Sequence, residues 1–343
     1  MAIFCINIFN FKLRLRRKHR TARKVNVVSD KDNPDEDRFE WDEVERIATN
    51  FSQVIGSGGF STVYLARLPD STAGAIKIYS RSSERLNRIF KQELDILIRL
   101  RHDNIVKLLG YSDLQDEGAI VFEYVPNGTL QEKLHGCEGG SAVISWQKRW
   151  AIAFQLIQAI EYLHEKCTLQ IVHGDIKSSN ILLDNQFNCK LCDFGSAKMG
   201  FSSTVLPPSS SSRNPLTMLG SPGYVDPHYL RTGIASKKND VYSFGVIVLE
   251  LITGMEAFNA EEGRMLTSSP VAAALLRDHN IVAEMVDPHL NGHFDLEEAK
   301  AMASIAAQCL QPTPSLRPSA ADILIRMKAE ITSIIFQGYS YSK

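Results

Sequence analysis

The sequence predicts an α+β chain of two lobes, a small antiparallel β-rich lobe with one helix and a larger, mainly helical lobe. Three observations predict this. Short β-branched and aromatic runs, bounded by turn residues, recur between Thr62 and Tyr124. Past Pro126-Asn127-Gly128 the apolar residues recur at helical spacing instead. The chain has 343 residues, 44% of them hydrophobic, enough for two ordinary domains or one two-lobed fold with a large core.

Taken in order, residues 1–38 form a tail and linker, 39–125 the small lobe, 126–332 the large lobe and 333–343 a C-terminal tail. A short helix is predicted at Trp41–Thr49, where Trp41, Val44, Ile47 and Ala48 share a face. Thr62–Ala66 and Gly74–Tyr79 read as strands joined through Pro69-Asp70, and Ile105–Leu109 and Ala119–Tyr124 as two more. Arg85–Leu100 reads as a helix with Ile89, Phe90, Leu94, Leu97 and Ile98 along one side. In the large lobe, Ile152, Leu156, Ile160 and Leu163 mark a buried helix face within Trp150–Lys166. Asp240–Thr253 and Ala299–Leu310 are also helical. The serines and Pro207-Pro208 within Ser202–Arg213 predict an exposed loop. A cleft between two such lobes is a frequent small-molecule site.

The net charge of −1 gives no reason to expect nucleic-acid binding. The charge is unevenly placed: residues 1–24 carry eight Lys or Arg and no acid, and residues 30–45 carry nine acids against two bases. No transmembrane helix is predicted, since the apolar start at Met1–Phe11 is far short of the ~20 residues a span needs. Ala2 excludes N-myristoylation. The apolar tip with Cys5 and the basic run that follows predict peripheral contact of residues 1–24 with an anionic membrane face, Cys5 palmitoylation being a second anchor. A mobile basic tail, or the remnant of a longer precursor, is the other reading. The six cysteines (5, 137, 167, 189, 192 and 309) are read as reduced thiols. Cys189 and Cys192 make a C-x-x-C, but no second Cys/His pair lies nearby to complete a zinc site.

Chemistry concentrates in His173-Gly174-Asp175-Ile176-Lys177-Ser178-Ser179-Asn180, followed thirteen residues on by Asp193-Phe194-Gly195. Asp175 is a candidate base for a hydroxyl. Lys177 is suited to offset phosphate charge, and Asn180 and Asp193 are hard oxygen donors suited to Mg²⁺. Phosphoryl transfer needs little else, because its catalysis is mostly positioning and charge neutralisation. Upstream, Ile55 and the turn Gly56, Ser57, Gly58, Gly59, Phe60, Ser61, Thr62 and Val63 form a candidate phosphate cover. Glycines there permit close backbone approach to phosphate oxygens. A β-prone run follows the turn, whereas a dinucleotide-binding turn opens a helix. No Walker Gly-Lys-Ser/Thr is present. Lys77 lies within an apolar strand and needs a partner, and Glu93 on the following helix is the predicted one, with Asp95 as competitor.

With these motifs, residues 51 to about 330 resemble the eukaryotic protein kinase domain, and in detail the plant receptor-like kinases with their cytoplasmic members. The Phe39–Phe51 segment, Val121–Leu130 and Asp240–Val246 carry the detail. The resemblance implies a serine/threonine kinase with ATP and Mg²⁺, the adenine held by backbone groups of Glu123–Val125 beside Phe122. It also implies a protein substrate, an upstream membrane receptor kinase as partner, and a peripheral place at the cytoplasmic face of the plasma membrane, or else the cytoplasm. Lys177 and Gly220–Tyr224 resemble serine/threonine-specific members.

Three positions depart from the family pattern. Ser61 replaces the third glycine of the turn. Gly174 stands where many kinases carry an arginine that receives an activation-loop phosphate, so activity is expected to depend little on loop phosphorylation. His228 stands where the family has a glutamate paired with a buried arginine, here Arg317, and a lost partner costs about 3–5 kcal/mol. These departures define the alternative, a pseudokinase scaffold in a receptor complex. Ser202, Ser203, Thr204 and Ser209–Ser212 are candidate autophosphorylation sites, with a merely flexible insert as the other reading. Thr217 and Ser221 lie nearer the substrate platform.

Overall fold

The computed structural model describes residues 38–58, 61–80, 83–113, 117–136, 143–200, 204–205, 220–278 and 281–340, with backbone alone at 204–205, 331–340, Val271 and Leu276. The basic tail with Cys5, Gly59 and Phe60 of the glycine-rich turn, and Ser202, Ser203, Ser209–Ser212 and Thr217 lie outside the described residues. The chain divides into two compact units, one running to Asn87 and including Leu108–Tyr124, the other made of Arg88–Lys107 and Val125 onward.

In the first unit, five antiparallel strands form one sheet: β1 (Val54–Ser57), β2 (Ser61–Arg67), β3 (Ala73–Ser80), β4 (Leu108–Ser112) and β5 (Glu117–Glu123), in the order β1-β2-β3-β5-β4. Helix α1 (Trp41–Ile47) carries Asp42 and Glu43 in its first turn, where the helix dipole favours acids. It buries Val44 and Ile47 in one cluster with Ala66, Leu68, Ile76, Ala119 and Val121 of the sheet. The chain before α1 joins the sheet edge, Phe39 N–H donating to Tyr111 O at 2.8 Å.

The fourth strand lies further along than the sequence predicts. Ile105 makes only an isolated bridge to Leu191, and β4 begins at Leu108. Ile105, Val106 and Leu108 are all buried, so an apolar run could not say which of them pair in the sheet.

Helix α2 (Glu84–Leu97) begins in the first unit and continues into the second, burying Phe90, Glu93, Leu94, Ile96 and Leu97. The rest of the second unit is mainly helical. α3 (Leu130–His135) starts on a Thr129/Glu132 capping box, which satisfies two orphan backbone donors. α4 (Trp146–Glu161) begins four residues before the predicted start and ends in a π-helical turn at Tyr162–Lys166. There the Tyr162 hydroxyl accepts from Arg101 N–H at 3.0 Å.

Short hairpin strands follow: β6 (Gln170–Val172), β7 (Ile181–Leu183), β8 (Cys189–Leu191), β9 (Lys198–Gly200) and β10 (Thr204–Val205). β6 pairs with β9 and β7 with β8. Then come α5 (Pro227–Thr232), β11 (Ala235–Ser236), paired with β10, and α6 (Lys237–Thr253). Every residue of α6 from Asp240 to Thr253 is buried, which identifies it as the central helix of this unit. Beyond it lie β12 (Phe258–Asn259), β13 (Arg264–Met265), α7 (Pro270–Arg277), α8 (Val282–Met285), α9 (Leu296–Cys309) and α10 (Ala320–Ser340). α9 and α4 pack on α6, and α10 packs on α4. No helix among the described residues is long and apolar enough to cross a membrane.

Candidate active site

The predicted site residues fall in both units. In the first, Ile55, Gly56 and Ser57 sit on β1 and Ser61, Thr62 and Val63 on β2. Gly58 N–H closes the turn between the strands onto Ser61 O at 2.8 Å. Lys77 lies on β3 opposite Val63 of β2 and Ile120 of β5, half-buried, its ammonium 5.0 Å from the centre of the Tyr79 ring. Glu123 ends β5.

In the second unit, Asp175, Lys177, Asn180 and Asp193 converge because two loops leave the same hairpin. β7 pairs with β8, Ile181 opposite Leu191. Beyond that pair Cys192 N–H donates to Asn180 O at 3.0 Å. Asn180 and Asp193 therefore emerge side by side. Asn180 donates through Nδ2 to Asp175 O at 2.8 Å and Oδ2 at 3.3 Å, which leaves its amide oxygen for another partner. Asp193 adopts a left-handed conformation (φ 62°) and is exposed. Glu93 approaches the same loop: a Cβ on Gly195 would lie 3.1 Å from Glu93 Oε2 and 3.4 Å from Asp193 Oδ1. A glycine at 195 leaves that space to the two carboxylates. Val125, the first residue of this unit's second segment, is buried.

Asp175 and Lys177 close a triangle with Ser221. Lys177 Nζ lies 2.9 Å from Asp175 Oδ2 and donates to Ser221 Oγ at 2.8 Å. Ser221 Oγ in turn donates to Asp175 Oδ1 at 2.9 Å. A serine hydroxyl thus already rests between the candidate base and the candidate cation.

The loop that carries Asp175 is anchored from beneath by Asp240, a carboxylate the sequence reading did not single out. Its Oδ2 accepts from His173 N–H at 2.8 Å and its Oδ1 from Gly174 N–H at 2.9 Å, and His164 Nε2 lies 2.8 Å from Oδ2. Burial by itself raises the Asp240 carboxyl, but the His164 hydrogen bond and charge, with the Gly174 N–H, bring it below the usual aspartate value. His173 Nε2 faces Cys192 O at 3.1 Å, and Nδ1 faces Asp175 N–H at 3.3 Å. A carbonyl only accepts and an N–H only donates, so the ring proton sits on Nε2. The available signal for Asp240 was a carboxylate placed directly before the largely apolar run Val241–Leu249.

Two of the sequence departures acquire a physical account here. Gly174 has φ 78°, and a Cβ there would lie 3.1 Å from Ser196 O, so glycine relieves both strain and crowding. A cavity of about 30 Å³, walled in part by Gly174, Lys198 and Asp226, lies at this point, and burial lowers the Lys198 ammonium. The expectation that His228 leaves Arg317 short of a partner is corrected. Arg317, fully buried, grips Asp226 with two bonds, Nη1–Oδ2 2.6 Å and Nη2–Oδ1 2.8 Å. It also donates to Lys238 O and Gln311 O. Asp226, two residues before His228, supplies the carboxylate, and His228 contributes only its backbone N–H to Asp226, at 2.8 Å.

The C-x-x-C stands as ordinary thiols. Cys189 is buried, which pushes its thiol up. Among the described residues no group of three His, Cys, Asp or Glu could hold a metal. Asn180 and Asp193 carry hard oxygen donors of the kind Mg²⁺ takes.

The protein kinase domain family matches residues 49–327. A probable receptor-like protein kinase of Arabidopsis thaliana is 54% identical over 310 residues, covering 87% of this chain and 89% of that one. The salt tolerance receptor-like cytoplasmic kinase 1 of Oryza sativa subsp. japonica is 52% identical over 300 residues, covering 86% and 80%. A probable LRR receptor-like serine/threonine-protein kinase of Arabidopsis thaliana is 37% identical, matching 85% of this chain but 32% of its own length. The chain belongs to the protein kinase family and is a serine/threonine kinase of the plant receptor-like type.

Proposed function

We propose that Asp175 orients a serine or threonine hydroxyl of a protein substrate in line with the γ-phosphate of ATP and takes its proton, while Lys177 offsets the charge that develops on the phosphoryl group. The observation that carries this is the Ser221 hydroxyl, which donates to Asp175 and accepts from Lys177 as an incoming hydroxyl would. Asn180 and Asp193 would hold Mg²⁺, which would supply positive charge against the phosphates. Lys77, oriented by Glu93, holds the α- and β-phosphates. Ile55 and the Gly56–Val63 turn cover them, and the backbone of Glu123 and Val125 receives the adenine. These roles are supported by the order of the motifs and by the way Asn180 bridges to the Asp175 loop.

The basic composition of residues 1–24 supports a peripheral place at the cytoplasmic face of a membrane. The rice relative is named a receptor-like cytoplasmic kinase, and an upstream receptor kinase is proposed as the partner of this chain. The test of the chemistry is phosphate transfer from labelled ATP by the purified chain, to itself and to a degenerate peptide array, with Asp175→Asn as control. Wild-type incorporation that disappears in Asp175→Asn is expected. A wild type that incorporates no phosphate would overturn the reading and favour the scaffold.

A further inference from the structure

Helix α2 carries two neighbouring polar residues in opposite settings: Glu93 is buried, and Gln92 lies on the exposed side. A glutamine on the exposed side of a helix ordinarily faces water. Here its amide reaches a backbone group 105 positions away, Nε2 donating to Ala197 O at 2.5 Å. Ala197 is fully buried. It closes the single 3-10 turn Phe194–Ser196 that follows Asp193, and its own N–H donates to Phe194 O at 3.0 Å.

That turn has to be held. Asp193 enters it at φ 62°, a left-handed conformation that a side chain keeps only where its surroundings impose it. From within the unit, Phe194 anchors the turn: its ring is fully buried and stands edge-on to His173, 4.8 Å between centroids. Beyond the turn, β9 pairs with β6, Lys198 opposite Val172. Neither of these contacts involves α2. Two others do. Glu93 Oε2 occupies the space beside Gly195, 3.1 Å from where a Cβ would stand, and Gln92 grips the far end of the turn at Ala197.

Consecutive helix residues point about 100° apart around the axis, since 3.6 of them make a turn. A single contact would leave α2 free to roll about its axis. Two contacts from adjacent residues fix its rotation as well as its distance. With Gln92 in place, Glu93 cannot swing away from Gly195 and Asp193. The acceptor is a main-chain carbonyl, which is uncharged and needs no modification to accept. Gly174 offers no arginine to a loop phosphate, so a tie that works without phosphate is the kind this chain can use.

We propose that Gln92 is a positioning residue that locks α2 to the turn after Asp193, holding Glu93 in register with Asp193 without a phosphate on the loop. The inference rests on Glu93 and Asp193 serving ATP as proposed above. It differs from a merely structural contact in passing through one donated hydrogen bond from an exposed position, where a change of side chain leaves the fold intact.

The test compares wild type, Gln92→Leu, Gln92→Glu and Gln92→Lys as full chains treated with a protein phosphatase. All three replacements are good helix formers at an exposed site, so each should fold with an unchanged Tm. The first readout is hydrogen exchange of the ligand-free chain, followed by mass spectrometry in the peptide covering Phe194–Gly200. The second is initial-rate kinetics with ATP and the serine peptide that the wild type phosphorylates best in a degenerate array. Gln92→Leu has no donor and is expected to speed exchange in that peptide about fivefold, the scale of one neutral hydrogen bond. Its KM for ATP should rise by a similar factor while the peptide KM stays unchanged. Gln92→Glu sets an acceptor against an acceptor and should do at least as much. Gln92→Lys restores a donor and should recover most of both effects. Wild-type exchange in Gln92→Glu, equal changes in both KM values, or no recovery in Gln92→Lys would each overturn the inference. Exchange is read without ATP. A wild type that phosphorylates no peptide therefore sinks the kinase chemistry and leaves exchange to decide the Gln92 tie, whereas an active wild type with indifferent variants sinks only the role of Gln92.

Discussion

Replacing Asp226 by alanine should unfold this protein at a markedly lower temperature, whereas replacing His228 should not. Arg317 is the reason. Its guanidinium is fully buried, its two bonds to Asp226 are 2.6 and 2.8 Å long, and it lies 5.0 Å over the Tyr242 ring. Removing the carboxylate strands a charge that cannot reach water, at a cost of about 3–5 kcal/mol. Asp226 also caps α5 by accepting from His228 N–H, so loss of the cap is part of the same variant. For a domain of this size a kilocalorie corresponds to about 2–4 °C, so Asp226→Ala should lower Tm by about 6–20 °C. Asp226→Asn keeps an acceptor for the cap and should fall between. The His228 ring makes no hydrogen bond among the described residues, and His228→Ala should stay within about 0.5 kcal/mol of the wild type, as most such changes do. Scanning fluorimetry at one fixed heating rate measures the series, since unfolding of a protein this large is commonly irreversible. An Asp226→Ala variant within about 2 °C of the wild type, or a larger loss from His228→Ala, would refute the assignment of Asp226 as the partner of Arg317.

Two further outcomes follow from the buried polar groups. The Asp240 carboxyl is held below its ordinary value of 3.8, so its contribution to stability is whole above that pH and is lost as pH falls through the depressed folded value. The stability gap between wild type and Asp240→Asn, measured by urea unfolding, should therefore narrow below pH 3.8; a gap that stays constant into acid would count against the His164 and backbone anchoring. Gly174→Arg restores the family's cation but forces a side chain onto φ 78° and toward Ser196 O. It should cost about 1–2 kcal/mol of stability, and with Gly174 in place, alanine at Ser202, Ser203 and Ser209–Ser212 should leave kcat unchanged. A large kcat loss in that alanine variant would show dependence on loop phosphorylation.

Much of the site was legible in the order of residues along the chain. Asp175, Lys177 and Asn180 lie within six positions, and Asp193 lies across one hairpin from Asn180, so local geometry alone brings them together. The strands β2, β3 and β5 and the helices α2, α4, α6 and α9 were likewise legible, because each carries a continuous period of apolar residues. Their ends were less so. The π-helical turn after α4 and the late start of β4 depend on what packs beside them, and an apolar run such as Ile105–Leu109 is buried under either pairing.

The sequence by itself determined the chemistry available to this protein: which carboxylates, amides and ammonium groups recur at the spacing that phosphoryl transfer needs. Tertiary structure decided which charges compensate one another. Arg317 finds Asp226 across 91 positions and not His228, and Arg149 finds Asp287 across 138. Such pairs carry no periodicity and no fixed spacing. They form because a buried charge has nowhere else to go once the helices around it have packed, and that packing is a property of the whole chain.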